Sequence, residues 1–269
     1  MELTSAALWL NESFGGFDSA LLGFYHSMAD AVGVVFTPLF KLITLLGEKG
    51  LVFFLLALLF MLFARSRDLG VCIFGAVCCG ALITNIILKD SICRPRPFEM
   101  GGDFMLWWQF VGSPAEDGYS FPSGHVTAAA AGMTAICMMR GKKWIAPSAI
   151  VVTLMAVSRN YLMAHYPSDV LAAALVGIVS GVIAWAITKL IFKLLERWYD
   201  IPFFELVLDI DLGEFLPVQG LPLLGRLSGG RETEEDYEDY EDFERPARQS
   251  RPAPRRERPG AYVGKHEKR

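Results

Sequence analysis

Over the first two hundred residues, long apolar runs alternate with short polar connections. Residues 50–64 are almost wholly apolar and lead into Arg65-Ser66-Arg67. Residues 69–88 form an uncharged run closed by Lys89, and its length matches the roughly 20 residues a helix needs to cross hydrocarbon. A polar stretch, 90–121, follows. Residues 124–139 are Ala-rich and end at Arg140-Gly141-Lys142-Lys143. The run 144–157 carries Pro147 in its first turn, where proline is tolerated. The last run, 170–188, precedes Lys189, Lys193 and Arg197. Small residues within these runs (Ala128 to Ala131, Ala172 to Ala174, Gly177, Gly181) suit close helix packing. Residues 1–48 are less regular. A helical pattern over 18–35 follows Trp9, Leu10, Phe14 and Phe17 and precedes Pro38 and Lys41. That pattern suits either one imperfect transmembrane helix or amphipathic helices lying on the bilayer. His26 and Asp30 share a helix face, but no other polar residues converge on them, and they are read as structural.

Composition places these runs in a membrane. Of 269 residues, 53% are hydrophobic, and the mean hydropathy is +0.36, high for a soluble domain. The pattern predicts an all-α polytopic membrane bundle of five or six transmembrane helices. Its expected organisation is a first membrane or amphipathic segment at 1–48, a membrane core at 49–198, a membrane-proximal segment at 199–228 and a tail from 229. The tail is acidic over 232–244 and then rich in Arg and Pro, a composition that predicts disorder; the core's chemistry is expected not to need it. The five cysteines (Cys72, Cys78, Cys79, Cys93, Cys137) are odd in number and lack a Cys-x-x-Cys, so neither a disulfide framework nor a zinc site is expected. The start, Met-Glu-Leu-Thr, has no basic segment and does not read as a cleaved signal peptide. Nothing points to nucleic acid as a partner; the bilayer is the expected one, and the oligomeric state is open.

Basic residues orient the bundle. The clusters at 65–67, 140–143 and 189–197 fall on one side, which the positive-inside rule makes cytoplasmic, together with the tail. The connections 89–121 and 158–169 then share the extracytoplasmic face. Ionisable groups at a membrane edge are costly and usually functional. Three polar clusters meet there. Lys89 is followed by Arg94-Pro95-Arg96-Pro97, whose prolines stiffen the turn. Phe121-Pro122-Ser123-Gly124-His125 opens a helix whose free N–H groups and dipole favour an anion. Ser158-Arg159 and His165-Tyr166-Pro167-Ser168-Asp169 supply a cation, an imidazole and a carboxylate, with Asp169 one helical turn from His165. Cations beside a helix N-terminus argue for phosphate. Two histidines allow division of labour between attack and protonation of a leaving oxygen. A metal site is a weak competitor, because few histidines are present and cations would repel the ion.

Lys89-x6-Arg96-Pro97, Pro122-Ser123-Gly124-His125 and Ser158-Arg159-x5-His165-x3-Asp169 resemble, in order and spacing, the three-part signature of the type 2 phosphatidic acid phosphatase (PAP2) superfamily. The resemblance covers roughly residues 50–195, with no departure at signature positions. It implies metal-independent hydrolysis of a membrane lipid phosphate or diphosphate through a phosphohistidine, without a cofactor, in what is expected to be a bacterial plasma membrane. Carried over, His165 is the nucleophile and Asp169 orients it. His125 is the general acid. Lys89, Arg96, Ser123, Gly124 and Arg159 hold the phosphate, and Arg94 is at most supporting. Similar bacterial proteins act on undecaprenyl diphosphate, phosphatidylglycerophosphate or phosphatidic acid, and the first is ranked highest here. A lipid phosphotransferase would use the same site. A vanadium haloperoxidase shares it but is typically soluble, and a catalytically dead scaffold would be expected to have lost His125 or His165.

Overall fold

The computed structural model describes residues 3–197. The segment 199–228 and the tail from 229 lie outside the described residues. Among the described residues every regular element is helical, in agreement with the all-α membrane bundle expected.

Helix α1 (Ser5–Leu46) is capped by Thr4, whose Oγ1 accepts from the Ala7 amide at 3.1 Å. It bends at Val32 (φ −139°, ψ 21°) and contains Pro38. Proline removes a backbone donor and clashes with the carbonyl four residues earlier, so the bend falls in the preceding turns. The two ends of α1 touch the same end of the bundle. The Thr4 hydroxyl donates to the Ile92 carbonyl, and Glu48, just past the other end, reaches His125. Between them Asn11 and Asp18 meet Arg94, and Thr37 meets Tyr161. Helix α1 therefore lies across the motif-bearing end, with Trp9, Phe24, Val34 and Val35 facing outward.

A left-handed turn at Lys49 (φ 51°) and Gly50 (φ 71°) starts α2 (Leu51–Met61). Helix α3 (Arg67–Ala81) runs through a π-helical stretch, Leu82–Leu88, into the short α4 (Lys89–Ile92). Helix α5 (Gly102–Phe110) sits inside the polar connection, followed by α6 (Gly124–Arg140), α7 (Ile145–Tyr161) and α8 (Pro167–Arg197). Helices α2, α3, α6, α7 and α8 alternate between the motif end and the basic end, where Arg140 pairs with Asp68 at 3.6 Å. Three helical stretches are long and apolar enough to cross a membrane: Ser5–Met61, which runs through both α1 and α2, Ala64–Met100 and Pro167–Leu195. Helices α6 and α7 have 17 residues each, at the short end of spanning length.

Helix α6 is the centre of the core and packs on α3 and α8. Its Ala128 to Ala131 ridge is buried. Small residues set the approach: a Cβ on Gly177 of α8 would come within 2.6 Å of the Thr127 carbonyl oxygen and 2.5 Å of Ala130 Cβ. Close backbone contact of this kind replaces the hydrophobic driving force that lipid removes. The outcome for the site is rigidity, because the N-termini of α6 and α8 are held side by side.

Candidate active site

The motif end gathers all three sequence clusters. The π-helical stretch, a feature often found at functional positions, delivers Lys89 to it. Cys93, in the left-handed region (φ 51°), turns the chain so that Arg94 and Arg96 both point inward and are buried. Arg96 clamps the loop: its Nε donates to the Gly118 carbonyl (2.9 Å), Nη2 to Asp117 (2.7 Å) and Nη1 to Ala164 (2.9 Å). Nη1 also lies 3.4 Å from His165 Nε2.

His165 sits in the connection between α7 and α8, fully enclosed. Its Nδ1 lies 2.7 Å from the Ser120 carbonyl oxygen. A carbonyl only accepts, so Nδ1 carries the hydrogen and Nε2 keeps its lone pair. Burial, then the charges of Arg96, Arg159 and Lys89, hold this imidazole well below its usual pKa, in the neutral form. Asp169, expected to orient His165, makes no direct hydrogen bond to its ring. Asp169 Oδ2 is 3.9 Å from Nδ1 and instead accepts from Ser120 Oγ (2.5 Å) and the Tyr166 amide (3.0 Å). Ser120 carries the link: its hydroxyl is held by the carboxylate, and its carbonyl sets the ring's tautomer. The reason is geometric, because the first turn of α8 directs Asp169 back onto its own N-terminus.

Asp169 is also part of a buried network that sequence reasoning undervalued. Arg94 Nη1 pairs with Asp169 Oδ1 (2.6 Å) and Ser168 Oγ (2.8 Å), Nη2 with Asp18 Oδ2 (2.8 Å), and Nε with Asn11 Oδ1 (2.9 Å). Its guanidinium carbon stacks 3.9 Å from the centre of the Tyr166 ring. Asp18 is 1% exposed and also accepts from the Ser168 amide and hydroxyl. One cation thus ties α1, the Arg-Pro turn and α8 together. The available signal was Asp18 itself, a carboxylate in an otherwise apolar stretch, where an ionisable residue implies a partner.

The other cations are less satisfied. Arg159 is 0% exposed, and its Nε and Nη1 have no hydrogen-bond partner, while Nη2 pairs with Glu116 Oε1. Glu116 also pairs with Arg96 at 3.2 Å. Ser123 is the N-cap of α6, yet its Oγ makes no cap bond and has no partner. A Cβ added to Gly124 would meet only Asn85 Oδ1, at 3.8 Å, so the first turn of α6 is open on that side. Buried donors without acceptors are rare and call for an explanation. Here they lie at the same end of the bundle as the neutral imidazole and suit an anion rich in acceptor oxygens. His125, second residue of α6, has Nε2 3.3 Å from Glu48 Oε2. Lys89 lies within electrostatic reach of Arg96, Arg159 and Glu116.

The aromatic residues of the 98–121 connection divide their work. Trp108 stacks on Phe98 (4.6 Å) and donates to the Pro114 carbonyl, Trp107 stacks on His26 (4.9 Å), and Leu106 and Phe110 face outward. His26 packs against Trp107 and Phe110.

A helical membrane bundle with a buried histidine ringed by cations defines the class. Residues 68–193, the segment that carries the three motifs, match the PAP2 superfamily. Among curated proteins the chain is 28% identical over 120 residues to an undecaprenyl-diphosphatase of Sulfolobus acidocaldarius, covering 44% of this chain. The aligned part is 55% of that relative, so the chain spans about half its length. Among solved structures, a crystal structure of Aquifex aeolicus LpxE aligns at 23% identity and a TM-score of 0.46, covering 61% of this chain and 93% of that one.

Proposed function

We propose that this protein is a membrane lipid phosphatase that hydrolyses a phosphomonoester or pyrophosphate through a phosphohistidine. The observation that carries the reading is the neutral His165, with Nδ1–H held by Ser120 and the Nε2 lone pair facing Arg96, in the field of the buried Arg159. In the first step Nε2 attacks phosphorus, the bond to the leaving oxygen breaks, and His125 passes its proton to that oxygen. In the second step water attacks the phosphorus, His125 takes the water's proton, and the P–N bond breaks to release phosphate. Arg159, Ser123 and the amides at Gly124 stabilise the charge that builds on the phosphoryl oxygens, with Lys89 beside them. Arg96, whose donors mostly hold carbonyls, shapes the site and adds positive charge. Asp169 acts on His165 through Ser120.

By the positive-inside rule the site faces the extracytoplasmic side, at headgroup level, so a lipid tail stays in the bilayer. The name of the similar Sulfolobus protein supports undecaprenyl diphosphate as the first substrate to test. Glu116 lies between the two guanidinium groups and has to give way to phosphate there. The test is phosphate release by purified protein in detergent with EDTA, comparing undecaprenyl diphosphate, phosphatidic acid and phosphatidylglycerophosphate. Release should survive EDTA and fall at least about 10⁴-fold in His165→Ala, as loss of a nucleophile does. Release that persists in this variant would overturn the phosphohistidine route.

A further inference from the structure

Resting on the phosphatase reading, we infer that Glu48 is a positioning residue for the general acid, orienting the His125 ring through Nε2–H and favouring the imidazolium whose other N–H serves the leaving oxygen. Glu48 belongs to none of the three motifs, and it reaches His125 only because α1 lies across the motif end. Its carboxylate Oε2 lies 3.3 Å from His125 Nε2. A carboxylate only accepts, so this ring nitrogen carries the hydrogen. His125 stands in the field of Arg159, Arg96 and Lys89. Like charges oppose an imidazolium there, and Glu48 brings a negative charge onto the ring itself. The His125 side chain is 13% exposed and that of Glu48 is 50% exposed, so the carboxylate also connects the enclosed ring to water, from which protons are replenished.

The local backbone is built around this contact. Lys49, a residue with a Cβ, adopts φ 51°, and Gly50 adopts φ 71°. Left-handed conformations in non-glycine residues persist when the surroundings impose them and gather at functional sites. Gly47 packs so tightly that a Cβ would fall 2.2 Å from Met155 Cε, and His125 Cδ2 lies 3.5 Å from the same point. The turn between α1 and α2 is thereby pressed onto the first turn of α6, with Glu48 over the imidazole.

A general acid matters in proportion to how poor the leaving group is. Alkyl oxygen needs a proton as the P–O bond breaks, whereas p-nitrophenolate leaves without one. The experiment compares a short-chain phosphatidic acid with p-nitrophenyl phosphate in wild type, Glu48→Gln and Glu48→Asp. Glu48→Gln should lower kcat for the lipid about 10–100-fold, a share of the 10²–10⁴-fold typical of general acids, with p-nitrophenyl phosphate turnover nearly unchanged. Glu48→Asp, which keeps the charge, should recover part of the loss. The lipid-to-aryl ratio is read within one preparation, so a partly unfolded sample does not alter it. An unchanged ratio, with both substrates slowed equally or neither slowed, overturns the inference. So does faster turnover of both, which would make Glu48 a competitor of phosphate. If wild type turns over neither substrate, or if His165→Ala retains turnover, the phosphatase reading fails instead.

Discussion

Two arginines enclosed at the same end of the bundle have opposite surroundings. Arg94 is saturated: two carboxylates, a hydroxyl, an amide oxygen and an aromatic face occupy it. Arg159 is equally buried but keeps donors without hydrogen-bond partners and has one ionic contact, Glu116. A saturated buried cation holds elements together. A buried cation with unsatisfied donors carries a desolvation cost that a ligand can offset. The pair therefore separates the structural half of the polar cluster from the half we assign to chemistry.

The comparison breaks most sharply at Arg94. Arg94→Met leaves Asp18 and Asp169 buried without their cation and should cost about 3–5 kcal/mol, read as a fall in the unfolding temperature in detergent. Adding Asp18→Asn should restore part of that loss, because one orphaned charge is then removed. Arg159→Gln should do the reverse. It should lower kcat about 10²–10³-fold, as loss of a transition-state donor does, while the unfolding temperature moves little. If Arg159→Gln unfolds the protein and Arg94→Met leaves it stable, the division is wrong. Ser123→Ala should cost roughly tenfold in kcat with no loss of stability, since its hydroxyl makes no internal bond. The smallest effect concerns pH. His165 is held neutral in the folded state, with its pKa well below the ordinary value, so below about pH 6.5 the unfolded chain binds a proton that the native one does not. Stability from this group is present above that pH and is lost as pH falls. Between pH 7 and 5 the wild type should lose more in unfolding temperature than His165→Gln.

Much of this was legible in the residues. The apolar runs marked α2, α3, α6, α7 and α8, because in lipid a helix must satisfy its own backbone and so declares itself by length and composition. The spacing of the motifs brought Lys89, Arg96, Ser123, His125, Arg159 and His165 to one end, since helix ends that alternate between two sides leave few places for them to meet. Less legible was the course of residues 1–48, whose pattern suits a spanning helix and a surface helix equally.

What the sequence determined by itself, then, is the set of helices, the end of the bundle where the polar motifs gather and the residue types offered there, all of which follow from local periodicity and spacing. Only the tertiary structure decided which partner each charge took. Asp169 meets Arg94 and Ser120 rather than the His165 ring, Arg96 clamps carbonyls, and Asp18 and Glu48 arrive from a helix that crosses the end of the bundle and from the turn just after it. Those pairings join residues separated by as many as 77 positions. Hydrogen bonds form or fail over tenths of an ångström, a precision that helix packing sets and residue spacing does not.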